Sequence, residues 1–223
     1  MNCVAFDLDG VLVDSRGAYL TAFCEAVHAL GFACERPDVE KLLGRPVVEV
    51  VTALLPTDPK KVARARSLVN KTILAEGVLE TISVSADAQP CLKELSSALD
   101  IRVCLVTNSG CEFTDAVLHH FGLRDYFDRI LTADDNPSKE ERLKLILRES
   151  RVDAARSFYV GDLPYDIACA RKVGMTSVAI YNRMSWAYPE REKILEARPD
   201  FLIASLLELP PILGIPEIRQ LSI

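Results

Sequence analysis

Short runs of Val, Ile, Leu and Phe recur along the chain between longer stretches in which apolar residues return every three or four positions. That alternation predicts strands alternating with helices around a parallel sheet. The strand candidates are residues 3–6, 101–107, 129–132, 157–160, 176–180 and 201–203. Helical spacing joins Phe113, Val117 and Phe121, then Leu143, Ile146 and Leu147, then Ile167, Ala170 and Val173. Each set makes one apolar face to bury on the sheet. Gly122 and Gly174 stand where such helices should stop and turn toward the next strand.

One stretch departs from the alternation. Between the first strand and Ile101 the pattern is helical without a convincing strand: 17–30, with Tyr19, Phe23, Ala26, Val27 and Leu30 on one face, then 39–43, 47–55 after Pro46, and 60–75 after Pro59. Each apolar face needs a covering layer, so these helices are expected to pack on one another. The fold expected is α/β, a doubly wound Rossmann-like parallel sheet core with a small α-helical cap domain inserted after the first strand. The core would comprise residues 1–14 and 85–223, and the cap residues 15–84. Asp14-Ser15 would mark the passage into the cap, with Ser15 capping the helix that follows. The tail after Ser205, with Pro210, Pro211 and Pro216, is expected to lie irregularly on the core.

Composition narrows the function. The chain has 223 residues, 49% of them hydrophobic, and a formal charge of −6 without a cluster of Lys and Arg. Nucleic acid is therefore not the expected partner, since a phosphate backbone is gripped by clustered cations. A small anionic molecule remains compatible, because a few local cations and a metal outweigh net charge at close range. Seven cysteines without a CxxC pair read as reduced thiols, mostly small core residues. With neither a basic leader nor a long apolar stretch, no membrane association is expected and the location expected is cytoplasmic.

In open parallel sheets ligands sit beyond the carboxyl ends of the strands, so the residues ending each strand belong together. Here the first strand ends in Asp7-Leu8-Asp9-Gly10 and the second in Thr107-Asn108-Ser109-Gly110. Lys139 follows the third strand, and the fourth ends in Gly161-Asp162 with Asp166 four residues on. A lone Asp-x-Asp-Gly fits a turn or a helix cap. Four carboxylates, a hydroxyl and a cation converging on one edge point to catalysis.

Those segments, Asp7-Leu8-Asp9-Gly10-Val11, Thr107-Asn108, Lys139 and Gly161-Asp162-Leu163-Pro164-Tyr165-Asp166, resemble the four motifs of the haloacid dehalogenase-like hydrolase superfamily. An insert between the first and second motifs is similar to its phosphoglycolate phosphatase and β-phosphoglucomutase branch. The resemblance implies a phosphoric monoester hydrolase in which Asp7 is the nucleophile and carries an aspartyl-phosphate. It implies that Asp9 is the general acid and base and binds the metal through its backbone carbonyl. Thr107 and Asn108 would hold phosphoryl oxygens, with Lys139 neutralising charge. The cofactor would be Mg2+, a cation that takes hard oxygen ligands, held by Asp7, Asp9, Asp162 and Asp166. Gly44-Arg45-Pro46 resembles a cap segment that approaches the active site, so Arg45 is a possible substrate contact.

The chemistry asks for such a set. Phosphate monoester hydrolysis needs acceleration of up to the order of 10²¹-fold. A carboxylate nucleophile divides the reaction into two steps, but its charge repels a dianionic substrate until cations offset both. Pro137 precedes Lys139 where many relatives have Lys followed by Pro, which makes Lys144 the alternative cation. Asp134 and Asp135 read as loop or capping residues, and Trp186 and Tyr188 either border the cleft or, the favoured reading, cover the surface. The partner expected is a small phosphorylated metabolite. The competing activity is a phosphomutase of the β-phosphoglucomutase type, and the competing non-enzyme is a phosphate-sensing or phospho-accepting regulatory domain.

Overall fold

A computed structural model describes residues 2–55, 58–136 and 138–215. Strand β1 (Asn2–Phe6) leads to β2 (Val13–Asp14) and then to four helices, α1 (Arg16–His28), α2 (Arg36–Glu40), α3 (Val47–Leu54) and α4 (Pro59–Ile73). The chain returns through β3 (Ser83–Val84) and α5 (Ala88–Ser97) to β4 (Ile101–Val106), α6 (Cys111–His120) and β5 (Arg129–Leu131). There follow α7 (Lys139–Ser150), β6 (Ser157–Gly161), α8 (Pro164–Val173) and β7 (Thr176–Ile180), then α9 (Arg191–Ala197), β8 (Phe201–Ile203) and α10 (Leu209–Ile212).

Six strands form one parallel sheet in the order β5-β4-β1-β6-β7-β8. All six lie where the apolar runs placed them, with ends shifted by no more than one residue. In the middle of the sheet, Ala5 of β1 faces Cys104 on one side and Tyr159 on the other. Cys3, Val4, Ala5 and Phe6 are all fully buried. A strand covered by helices on both faces needs apolar residues at every position, which is why this one has no polar alternation. The sheet grows from β1 toward β4 and β5 on one side and toward β6, β7 and β8 on the other. At such a reversal the carboxyl ends of the strands border a crevice, and Asp7 emerges into it.

The helices inserted after β2 cover one another. α1 buries Phe23, Ala26 and Val27, α4 buries Ala65, Val69 and Ile73, and the two helices pack together. At the base of the insert β2 and β3 pair antiparallel, Val13 opposite Val84 and Asp14 opposite Ser83, so the chain leaves and returns side by side. Of the seven cysteines, Cys3, Cys34, Cys91, Cys104 and Cys169 are buried, small core residues as expected. Among the described residues no helix is long and apolar enough to cross a membrane.

Three local expectations change. The helix read at 39–43 is α2, which begins at Arg36 because Pro37 stands in its first turn, where a missing N–H costs nothing. Ser15 occupies the position before α1 but makes no capping bond; its hydroxyl donates to Asp9 instead. The tail is partly helical, since Leu206–Glu208 forms a 3₁₀ turn that runs into α10 and buries Leu206, Leu209 and Pro210. Pro216 lies outside the described residues. α5, α9 and the β2–β3 ribbon have no counterpart among the expected elements.

Candidate active site

Asp7 is the first residue beyond β1, and its backbone N–H continues the ladder to Val160 O at 2.8 Å. The chain then turns back. Leu12 N–H donates to Leu8 O at 2.9 Å, and Gly10, at φ +75°, donates to Val13 O at 2.8 Å. A side chain at Gly10 is excluded twice: its conformation is left-handed, and a Cβ would stand 2.1 Å from Asp162 Oδ2. The glycine of the first motif thus lets the fourth motif approach the first. Gly161 has the same use on the other side, where a Cβ would meet the Cβ of Asp166 at 2.3 Å.

Asp7 Oδ1 accepts from Leu8 N–H at 2.9 Å, and Oδ2 accepts from Lys139 Nζ at 2.9 Å. Lys139 opens α7 and donates also to Asp166 Oδ1 at 2.7 Å, so one ammonium joins two carboxylates. Asp166 in turn accepts with Oδ2 from the N–H groups of Asp162 and Leu163, fixing the start of α8. Asp162 is wholly buried. Its Oδ2 accepts from Trp186 N–H, while its Oδ1 has no hydrogen-bond partner among the described residues.

Asp9 faces a different environment. Ser15 Oγ donates to its Oδ1, and Ser109 Oγ, at 2.5 Å, and Thr107 Oγ1, at 3.4 Å, donate to its Oδ2. Tyr19 Oη lies 2.8 Å from Ser109 Oγ behind them. Thr107 N–H continues β4 by donating to Leu131 O at 3.0 Å, which fixes where its hydroxyl points. The Asn108 amide donates through Nδ2 to Gly44 O at 2.7 Å and accepts through Oδ1 from Arg142. A Cβ on Gly44, at φ +85°, would stand 2.0 Å from Leu163 Cδ1, so the 44–45 turn rests directly on the core.

Burial governs the electrostatics. It pushes the Asp7 carboxyl up to about 7, with Lys139 pulling it down and Asp166 and Asp9 pushing it up further. Burial also raises Asp9, against the hydrogen bonds from Ser109 and Ser15, and raises Asp162 well above the usual carboxylate range, with Asp166 adding to it. For Lys139, burial opposes the charge, but Asp166 and Asp7 prevail and hold the ammonium well above its ordinary value. Asp7, Asp162 and Asp166 each place an oxygen within 4.8 Å of the others. Among the described residues the ammonium of Lys139 alone pairs with these three carboxylates, leaving a formal deficit of two positive charges. Hard oxygen donors, that deficit and the unpartnered Asp162 Oδ1 together suit a divalent cation.

Asp7, Asp9, Thr107, Asn108, Lys139, Asp162 and Asp166 therefore meet at one edge, and all are buried. A narrow cleft touches most of them and is walled by Tyr19, Phe23, Val47 and Trp186. Arg45 is exposed and lies at its rim. Lys144 is elsewhere, paired with Glu141 at 2.7 Å on the outer surface of α7. Asp134 accepts from Cys111 N–H at 2.7 Å at the start of α6, and Asp135 accepts from Thr132 N–H at 2.7 Å, so both hold loops. Trp186 follows the less favoured of its two sequence readings: it lines the cleft, and its backbone N–H donates to Asp162. The roles of Ser15, Ser109, Tyr19 and Arg142 were not visible in the motifs. A signal for Arg142 existed, since three residues after Lys139 it must share that side chain's helix face.

Comparison with known proteins agrees with this geometry. The family model for haloacid dehalogenase-like hydrolases matches residues 4–180. A phosphoglycolate phosphatase of Vibrio parahaemolyticus is 27% identical, over 96% of this chain and 97% of its own length. Among solved structures, a predicted phosphatase from Clostridium acetobutylicum superposes with a TM-score of 0.82 at 22% identity, over 96% of this chain and 98% of that one. A β-phosphoglucomutase from Clostridium difficile superposes with a TM-score of 0.78 at 20% identity, over 93% and 92%. At those identities the structural likeness speaks for the fold, while the family match spans the sheet edge that carries the buried acids. The chain belongs to the haloacid dehalogenase-like hydrolase family and is an enzyme of it, with phosphatases among its relatives.

Proposed function

We propose that the chain is a Mg2+-dependent phosphatase that hydrolyses a small phosphomonoester through an aspartyl-phosphate on Asp7. The observation that carries this reading is the meeting of Asp7, Lys139, Asp162 and Asp166 in one buried cluster, with Asp9 beside it at the same turn. In the first step an Asp7 carboxylate oxygen forms a bond to phosphorus as the bond to the leaving oxygen breaks. Asp9 gives that oxygen a proton, a task its burial favours by keeping the carboxyl protonated more readily. In the second step the Asp9 carboxylate takes a proton from water, the water oxygen bonds to phosphorus, and Asp7 is released with inorganic phosphate. Thr107 and Asn108 orient the phosphoryl oxygens, and Lys139 keeps the Asp7 carboxylate available beside an incoming dianion. Mg2+, held by Asp7, Asp162, Asp166 and the Asp9 carbonyl, would offset the charge on the phosphoryl oxygens.

The division into a core of residues 1–14 and 85–223 and a cap of 15–84 belongs to the same proposal, with the β2–β3 ribbon as the hinge. Closure would bring Arg45 toward the part of the substrate beyond the phosphate. The phosphoglycolate phosphatase relatives make a small phosphorylated acid one candidate for that substrate. The test is a survey of phosphoglycolate, phosphorylated sugars, nucleotides and other small phosphomonoesters, following phosphate release and sugar isomerisation together. Release is expected to dominate, to stop when Mg2+ is chelated and to return when Mg2+ is restored in excess. Efficient isomerisation with little phosphate released would make the protein a phosphomutase, and full activity in chelator would remove the metal from the account.

A further inference from the structure

Helix α7 carries two buried cations one turn apart, Lys139 and Arg142, and they are compensated differently. Lys139 stands between Asp7 and Asp166. Arg142 is equally buried, yet among the described residues its guanidinium meets only neutral oxygens. Nη1 donates to Asn136 O, Nη2 donates to Asn108 Oδ1, and Nε has no partner. A buried guanidinium without a carboxylate is costly, so its place at this site calls for a use. A guanidinium has donors only, so the Asn108 atom facing it must be the carbonyl oxygen and the amide nitrogen must face the cleft. One hydrogen of that nitrogen is on Gly44 O, and the other is left for a ligand.

We infer that Arg142 is a positioning residue for the phosphatase reaction: it locks and polarises the Asn108 amide so that N–H, and not C=O, meets the phosphoryl group. The inference rests on the reading of the site as a phosphatase. Hydrogen bonds from charged groups contribute enough that Arg142→Gln should weaken binding of inorganic phosphate by about 10- to 100-fold. Calorimetric titration of inorganic phosphate into the full chain with Mg2+ reads this directly. In an Asn108→Ala background the same substitution should change the affinity by less than about twofold, because its route to the ligand is already gone. Arg142→Lys, which keeps the charge without the planar fork, should fall between. Equal losses in both backgrounds, or an unchanged affinity in folded Arg142→Gln, would overturn the inference.

If Arg142→Gln does not fold, Arg142→Lys decides: it should weaken binding of inorganic phosphate in the native background and change it by less than about twofold in the Asn108→Ala background. Equal losses in both backgrounds would overturn the inference. A native chain that neither binds inorganic phosphate nor hydrolyses p-nitrophenyl phosphate would instead bring down the phosphatase reading and the inference with it.

Discussion

Asp7→Asn is expected to leave a folded protein whose turnover is lower by on the order of 10⁴- to 10⁶-fold, the scale seen when a covalent nucleophile is removed. Asn matches the shape of Asp but offers phosphorus no nucleophilic oxygen. The fold should tolerate the exchange. Burial already disfavours the Asp7 charge, raising its carboxyl to about 7, so a neutral amide escapes that cost. Lys139 would keep Asp166 as its partner at 2.7 Å. Thermal melting by circular dichroism beside phosphate release checks both halves, and turnover within tenfold of the native rate would rule Asp7 out as the nucleophile.

Lys139→Met combines a catalytic loss with a structural one. Its ammonium bridges Asp7 at 2.9 Å and Asp166 at 2.7 Å, and all three groups are buried. In the metal-free protein, removing the cation leaves two carboxylates facing each other without compensation, a change that costs about 3–5 kcal/mol. For a domain of this size that lowers Tm by roughly 6–20 °C. Turnover should fall by about 10²- to 10³-fold, the loss typical when one preorganised electrostatic group is removed. Lys144→Met, on the outer surface of the same helix, should leave both quantities unchanged. Reversal of that order would transfer the role from Lys139 to Lys144.

Much of this architecture was readable because burial on both faces leaves its mark on composition. The strands of the sheet appear as short apolar runs, and their polar ends, Asp7, Thr107 and Asp162, appear where the carboxyl edge must lie. The β2–β3 ribbon was not readable, since two residues in each strand carry no periodicity. α5 did leave a trace, with Ala88, Cys91, Leu92 and Leu95 at helical spacing, but it borders the stretch read as insert. Side-chain partners were the least legible. Ser15 fits the N-cap pattern by type and position, and only the folded turn brings Asp9 close enough to claim its hydroxyl. Trp186 reaches Asp162 across a loop of irregular conformation, where sequence spacing gives no geometry. Arg142 sits in a run of charges, Lys139-Glu140-Glu141-Arg142, that resembles a solvated helix start, although two of the four are buried.

The claim on which the mechanism turns is that phosphorus becomes bonded to Asp7 during the reaction. Quenching the enzyme in steady state with a phosphomonoester that it hydrolyses, reducing with borohydride and sequencing the peptides would test this at the residue itself. An acyl phosphate at Asp7 would be reduced to homoserine at that position, and Asp7→Asn would yield none. Homoserine at a different aspartate, or none under conditions of rapid turnover, would contradict the account.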